Sequence, residues 1–435
     1  MSTQTNHKKV LSIALPAAAN ALLDMLQVII DLFMVGRISS YAIAAVGLGL
    51  QALMIMYALL GLFHIGTTAV LSRYVGAGSM KRASFALSSI LRFGIFASIG
   101  VTLIWFVFAP QLYIWFGVAL EVVDLGFDYV MVLTLMMPFI IFKLIFVSAL
   151  NAYGDTKTPF LIKSVAIVLN IMLNYLFIFE LGLGVMGAAI ATVMVNILEV
   201  AIYTTLYIKQ KSPYIPMWHY SKRLIKKMVR IGFPTSIERT LSMSSYMLFS
   251  LIIAGYGTHA FAGYQLGLRI EGLAFMPGLG FMIAGMTLVG QALGAKNPTQ
   301  AKADALLVLR YTMLMMGILS IFMVTAPEVI ARQFSDDAQT IAQASIYLII
   351  VGLSQIPLGM QFVLSGVLRG AGDTKTTLTI NLLTLWFIRI IPAFVLSYYF
   401  ENIIFVYLAM ISDTLIKAII LWIVFNRGEW QKIKL

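Results

Sequence analysis

Hydrophobic residues run in long unbroken blocks along this chain, with polar residues gathered between them. Twelve blocks stand out, near 10–33, 48–70, 87–109, 126–150, 159–180, 186–208, 228–254, 270–291, 305–326, 340–367, 377–399 and 403–425. Each can cross a hydrocarbon layer of about 30 Å as a helix, which needs about 20 apolar residues. Only helices and closed barrels satisfy every backbone group inside lipid, and blocks this long read as helices. The pattern predicts an all-α polytopic membrane protein of twelve transmembrane helices. Composition agrees: 60% of residues are hydrophobic and 11% charged, against about 25% charged in soluble domains. The first block, Val10 to Val35, is long enough to span and lacks a small-residue cleavage site, so it reads as a helix and not as a leader.

The formal charge of +12 is the usual mark of a nucleic-acid partner, but its distribution argues for another cause. The N-terminus, the even-numbered connections and the C-terminus hold 23 Lys and Arg, whereas the odd-numbered connections hold only Arg37 and Arg332. The positive-inside rule then puts both termini of this multi-pass protein in the cytoplasm, and with the resemblance given below the plasma membrane, the inner membrane of a prokaryote, is the expected location. The basic excess is a topology signal with some attraction to anionic lipid. The bilayer is the expected partner, nucleic acid is not, and a monomer is expected.

A repeat appears at a fixed offset of 218 residues. Lys8-Lys9 matches Lys226-Lys227, Pro16 matches Pro234, Leu48-Gly49-Leu50 matches Leu266-Gly267-Leu268, and Gly76-Ala77 matches Gly294-Ala295. Gly154-Asp155-Thr156-Lys157-Thr158 returns unchanged as Gly372-Asp373-Thr374-Lys375-Thr376. The chain therefore divides into two homologous six-helix bundles: an N-lobe over 1–208, a basic cytoplasmic linker over 209–227 and a C-lobe over 228–435. Six spans per half make the repeats parallel, related by an axis along the membrane normal. Such pairs enclose a central cleft and alternate its access by rocking.

Catalytic chemistry finds no support. With no cysteine and four scattered histidines, disulfides, thiolate metal sites and cysteine nucleophiles are excluded. Gly182-Leu-Gly184-Val-Met-Gly187 has the GxGxxG form without a soluble strand–turn–helix around it, and no phosphate-binding P-loop sequence occurs. A membrane-embedded enzyme, the remote alternative, would need a nucleophile–base or metal constellation, and none is visible. No cofactor is expected.

The informative residues are polar ones inside the blocks. Asn20, Asp24, Gln27 and Asp31 are spaced 4, 3 and 4 apart and share one helical face. A carboxylate at mid-bilayer costs about 2.5–3.5 kcal/mol on insertion scales, so that face looks into protein or water. Asp31 and Asp24 can exchange a proton or hold a monovalent cation, and Pro16 in the same block favours a kink. Asn170 and Asn174 share a face on the fifth block. Thr192, Asn196 and Glu199 lie on the sixth. In the second half Glu238 falls at the repeat position of Asn20, and Glu271 opens the eighth block. Asp413 and Lys417, at i and i+4, are expected to pair with each other. Lys143 and Arg389 either neutralise buried acids or repel cations from part of the cavity.

These residues resemble the multidrug and toxic compound extrusion (MATE) family, in a prokaryotic member. The likeness rests on Pro16 with Asp31 and Met34-Val35-Gly36, the Gly-Asp-Thr-Lys loop in both halves, Asn170, Gly187-Ala-Ala-Ile-Ala-Thr192, and Gly290-Gln291-Ala-Leu-Gly294-Ala295. It spans nearly the whole chain. It implies two lobes and a secondary active antiporter that exports small, often cationic, drugs or metabolites in exchange for H+ or Na+. It also implies a cation-coupling site at Asp31, Asn170, Asn174 and Thr192, to which the face reading adds Asp24; Na+ at Asp31 is the one metal implied. Members with a strong N-lobe site carry Asp where Asn174 stands, so this chain has one carboxylate fewer. Asn20, Gln27, Asn196, Glu238 and Glu271 are assigned to the substrate cavity. The alternative is a flippase of lipid-linked precursors in the same superfamily; such proteins carry cavity arginines and further helices. The few membrane-level cations and twelve spans read here favour the exporter.

Overall fold

The structure is a computed structural model that describes residues 7–433. Lys434, counted above with the C-terminal cations, lies outside the described residues. Among the described residues twelve long helical segments follow one another, with a short helix, Pro327–Arg332, between the ninth and tenth. The first half holds α1 (His7–Gly36), α2 (Ser40–Gly76), α3 (Met80–Trp115), α4 (Leu120–Tyr153), α5 (Lys157–Glu180) and α6 (Gly184–Ile208). The second holds α7 (Lys222–Ala254), α8 (Thr258–Ala274 with Met276–Gly294), α9 (Pro298–Thr325), α10 (Ala338–Leu353 with Gln355–Ala371), α11 (Thr374–Tyr399) and α12 (Ile404–Arg427). No strand occurs among the described residues. Ten helices are long and apolar enough to cross a membrane, and the two pieces of α10, bent by 53°, make an eleventh. The twelfth, α7, has ample length at 33 residues, but its basic start and its Glu238-Arg239 step make it too polar to qualify by composition. The twelve-helix, two-lobe fold class read from the sequence holds.

Three boundaries moved. The eighth span was expected near 270–291; the chain is helical from Thr258, interrupted only at Phe275, so Glu271 lies well inside α8 and does not open it. Helix α5 begins at Lys157 and α10 runs to Ala371, so Lys163 and Arg369, which the charge count assigned to the connections, both lie on helices. Both are buried.

The repeated pentapeptide is a local folding device. Gly154 and Gly372 close the preceding helices in the left-handed conformation, with φ of 101° and 90°, which a residue with a Cβ resists. The aspartate that follows caps the next helix. The Asp155 carboxylate accepts from the Thr158 amide (3.0 Å) and hydroxyl (2.6 Å). Asp373 does the same for Thr376, at 3.4 and 2.8 Å. Identity in this loop thus follows from turn chemistry.

Close packing divides the described chain into two compact units. One holds α1 as far as Ala19 together with everything from Ile237 on; the other is Asn20–Ser236. Within the first unit Val10 and Ile13 of α1 join a core with Phe281, Leu288, Val308, Val363, Leu368 and Phe425. There a Cβ on Gly280 would come within 2.4 Å of the Ala14 carbonyl oxygen. Within the second unit a Cβ on Gly232 of α7 would meet the Leu62 carbonyl oxygen at 2.2 Å. The two contacts are related by the repeat offset, because Ala14 matches Gly232 and Leu62 matches Gly280. Lipid tails offer no hydrophobic drive for helix association, so close approach at small residues carries the packing. Outward faces stay apolar: Phe96, Ile99, Leu103 and Val107 along α3 are each more than half exposed.

Candidate functional site

In the Asn20–Ser236 unit, α1 and α5 face each other with a ladder of polar side chains. The α1 stripe is the one read from the sequence. The α5 stripe is Lys163, Asn170 and Asn174, spaced 7 and 4 apart and so on one face. Asn170 and Asn174 are fully buried, and Asp31 is 8% exposed. Asn174 Nδ2 donates to Asp31 Oδ1 at 2.6 Å and to Asn170 Oδ1 at 3.2 Å. Asn174 Oδ1 and Asn170 Nδ2 are buried without a hydrogen-bond partner. Three residues of the expected site therefore meet, and among the described residues the ion pair of this ladder runs from Lys163 to Asp24 and not to Asp31. Immediately beyond Asn174 the helix widens into a π-turn over Leu176–Glu180, a feature that recurs at functional sites.

Asp24 and Gln27 sit apart from that trio, held by Lys163. The Lys163 ammonium pairs with Asp24 Oδ1 at 2.7 Å and donates to Gln27 Oε1 at 2.6 Å. Asn20 Nδ2 approaches the other Asp24 oxygen at 3.4 Å. The Lys163 side chain is 6% exposed and that of Asp24 is 55% exposed, so this pair joins the buried ladder to a wetter rim. Sequence reasoning missed Lys163. The signal was present in its spacing to Asn170 and Asn174, but Lys163, close to the block's start near 159, was counted with the cytoplasmic connection.

A second cluster lies between α4 and α6. Lys143 is ion-paired with Glu199 and reaches Asn196 Oδ1 at 3.4 Å. Asn196 Nδ2 donates to the Thr192 carbonyl at 2.9 Å, and the Thr192 hydroxyl donates to the Ala188 carbonyl at 3.0 Å. Thr192 and Asn196 thus engage their own helix and Lys143; neither is a hydrogen-bond partner of Asp31. Lys143 neutralises a buried acid, which decides one of the two alternatives the sequence left open.

In the unit that begins at Ile237, α7, α8, α10, α11 and α12 enclose a cavity of about 230 Å³. Glu238, 6% exposed, lines it and pairs with Arg369 at 2.8 Å. Its carboxylate also accepts from Asn381 at 3.1 Å and from Thr377 at 3.5 Å. Asp413, fully buried, pairs with Lys417 at 3.2 Å, as expected, and also with Arg389 at 3.0 Å. Arg389 lies in a π-turn over Leu385–Ile390, with Tyr246 and Phe249 beneath its guanidinium. Glu271 accepts from the Tyr347 hydroxyl and does not line the cavity. The expectation of few membrane-level cations is corrected here: Arg239, Arg369, Arg389 and Lys417 all line this space.

The repeat offset gives these sites a common frame. The Lys163–Asp24 ion pair has as its counterpart the hydrogen bond from Asn381 Nδ2 to the Ser242 hydroxyl, at 3.1 Å. Glu199 matches Lys417, and Asp31 matches Phe249. Backbone register is kept while polarity changes sign. Among the described residues no group of three or more His, Asp and Glu is placed to hold a metal ion.

Comparison with known proteins agrees with this architecture. The MatE family profile matches residues 16–176 and 234–395, the two matches starting one repeat apart at Pro16 and Pro234. The chain is 29% identical to a probable multidrug resistance protein NorM of Thermotoga maritima, over 98% of this chain and 93% of that protein. It is 25% identical to the multidrug export protein MepA of Staphylococcus aureus, over 85% and 82%. A solved structure of the Vibrio cholerae MATE transporter VcmN in its bent form superposes with a TM-score of 0.91 at 21% identity, covering 98% of this chain and 97% of that one. With the profile on both halves and the fold matched end to end, the chain belongs to the MatE family, the multidrug and toxic compound extrusion transporters, and is a membrane transporter, not an enzyme.

Proposed function

We propose that this transporter is a secondary active antiporter that exports small organic molecules, often cationic, in exchange for H+ or Na+, with Asp31 as the coupling group. The observation that carries the reading is the buried trio of Asp31, Asn174 and Asn170. A carboxylate without a cationic partner, deep in an apolar helix pair, is costly to keep ionised. It is eased when a cation arrives. A proton needs one carboxylate oxygen. Na+ would also draw on Asn174 Oδ1, which is buried without a partner. With a single carboxylate and an amide donor already on Oδ1, the trio suits H+ better than Na+.

Loading the cation removes a buried charge from the middle of α1, a helix already weakened at Pro16. That change favours one bend of α1 over another, which is how one cation would bias alternating access. Lys163 holds Asp24 and Gln27 whether or not Asp31 is loaded, so the upper rungs position the lower one. The names of the NorM and MepA relatives support multidrug export. The positive-inside count supports both termini in the cytoplasm of a prokaryotic plasma membrane, with a monomer as the working unit.

The test is export of a fluorescent cationic dye from reconstituted vesicles under an imposed pH gradient, then an imposed Na+ gradient, for wild type and Asp31→Asn. Export driven by one gradient and absent in the variant is expected. Export that survives the substitution removes Asp31 from the mechanism. The flippase reading gains one observation, the cationic cavity of the Ile237–Leu435 unit; failure to move any dye together with binding of lipid-linked sugars would put it first.

A further inference from the structure

We infer that the cavity of the Ile237–Leu435 unit is an anion-binding site, built to take a phosphate, sulfonate or carboxylate group carried by the transported molecule. The inference rests on the transporter reading and deepens it by naming a chemical group that the substrate carries. Four cations line the space: Arg239, Arg369, Arg389 and Lys417. Two carboxylates answer them. Glu238 is taken by Arg369, and Asp413, fully buried, is shared by Arg389 and Lys417. Two positive charges are left over. Glu271, the other acid of this region, is engaged by the Tyr347 hydroxyl and does not line the cavity.

Among the described residues Arg239 makes no ion pair or hydrogen bond, and Arg369, 8% exposed, keeps its Nε without a partner. Guanidinium groups recognise carboxylate and phosphate oxygens with a planar fork of donors. Ser242, Thr377 and Asn381 line the same space with their donors already turned to Glu238 and to one another, so the guanidinium groups are the donors left for a ligand. The volume of about 230 Å³ is many times the ~10–15 Å³ that one water needs, enough for one oxyanion with a small ring. At matching positions in the other half stand Glu199 for Lys417 and Asp24 for Ser242, so the excess of positive charge is peculiar to this half.

Phenyl phosphate, benzoate and benzylamine, titrated calorimetrically into the full-length protein in zwitterionic nanodiscs, test the assignment. Phenyl phosphate is expected to bind and benzylamine is not. Arg239→Gln, which strands no acid, should weaken phenyl phosphate at least tenfold. Ser365→Asp, which adds a carboxylate to the lining, should do the same by an independent route. Adding phosphatidylglycerol to the nanodiscs separates the sources: competition assigns the site to a lipid headgroup phosphate, and unchanged affinity assigns it to a soluble anion. Equal binding of benzylamine, or phenyl phosphate affinity unchanged in both variants, overturns the inference. Asp31→Asn should leave phenyl phosphate binding intact while stopping driven export, so failure of the coupling reading and failure of the anion site give different results.

Discussion

Removing Arg369 from its pair with Glu238 should unfold the protein at a markedly lower temperature, and removing both charges should restore most of the loss. The two side chains are 9% and 8% exposed and 2.8 Å apart. Breaking a buried pair at one end costs about 3–5 kcal/mol, mostly the penalty of the stranded charge, whereas replacing both ends is often close to neutral. Glu238 keeps Asn381 and Thr377 as donors, which argues for the lower figure, about 3 kcal/mol. A unit of about 200 residues loses about 2–4 °C of Tm per kcal/mol, so Arg369→Met should melt about 6–12 °C below wild type. Arg369→Met with Glu238→Gln leaves no charge to strand and should regain more than half of that. The assay is scanning fluorimetry in nanodiscs at one scan rate, since membrane proteins often unfold irreversibly. A single variant within about 2 °C of wild type, or a double variant melting as low as the single, would refute the account of this cluster.

Three further outcomes are expected. Asn174→Ala removes the 2.6 Å donor to Asp31, a bond of a kind worth about 1.5–3 kcal/mol when one partner is charged; gradient-driven export should fall about tenfold at unchanged membrane expression, and full export would detach Asn174 from the site. Gly280→Ala sets a Cβ 2.4 Å from the Ala14 carbonyl oxygen, and such overpacking costs about 1–3 kcal/mol, so its Tm should drop by several degrees; an unchanged Tm would mean that α1 yields freely at this contact. Asp337 caps the first piece of α10. The Thr340 hydroxyl, then the Thr340 amide, hold its carboxyl below the usual range. A depressed carboxyl contributes stability at neutral pH that disappears as pH falls through its folded value. The Tm gap between wild type and Asp337→Ala should therefore be full at pH 7 and close below about pH 4, and a gap constant with pH would refute the cap.

The sequence carried the helices and the duplication because both are long-range signals. Twelve apolar blocks and a fixed offset survive errors of several residues at each edge. The candidate site was legible where it rested on spacing within one helix: Asn170 and Asn174 fall together, and Asp31 lies on their side of α1. It was not legible where it depended on which helix end a residue joined. Lys163 and Arg369 lie close enough to loops to count as cytoplasmic, yet each sits on a helix and is buried against an acid. Thr192 illustrates the opposite failure. Its position on α6 is compatible with the site, but its hydroxyl is satisfied four residues back along its own helix, and no pattern in one chain distinguishes those outcomes.

The repeat supplies the strongest argument about how the two halves divide the work. Duplication began with one set of helix contacts, and the packing still obeys it: Ala14 with Gly280 and Leu62 with Gly232 are the same contact with the glycine on opposite partners. Side chains free of that packing diverged in charge. Asp31 faces Asn174 in one half, where its counterpart Phe249 lies beneath Arg389 in the other. Lys143 serves Glu199 in one half, where Lys417, the counterpart of Glu199, serves Asp413 in the other. If both halves bound the same kind of group, their polar positions should agree in sign as their backbones agree in register. They disagree at Asp31 and at Glu199, and the cations in excess all line one cavity. The proposed division, a cation held in one half and an anion in the other, predicts that exchanging Asp31 and Phe249 between the halves abolishes coupling without creating a second cation site beside Arg389.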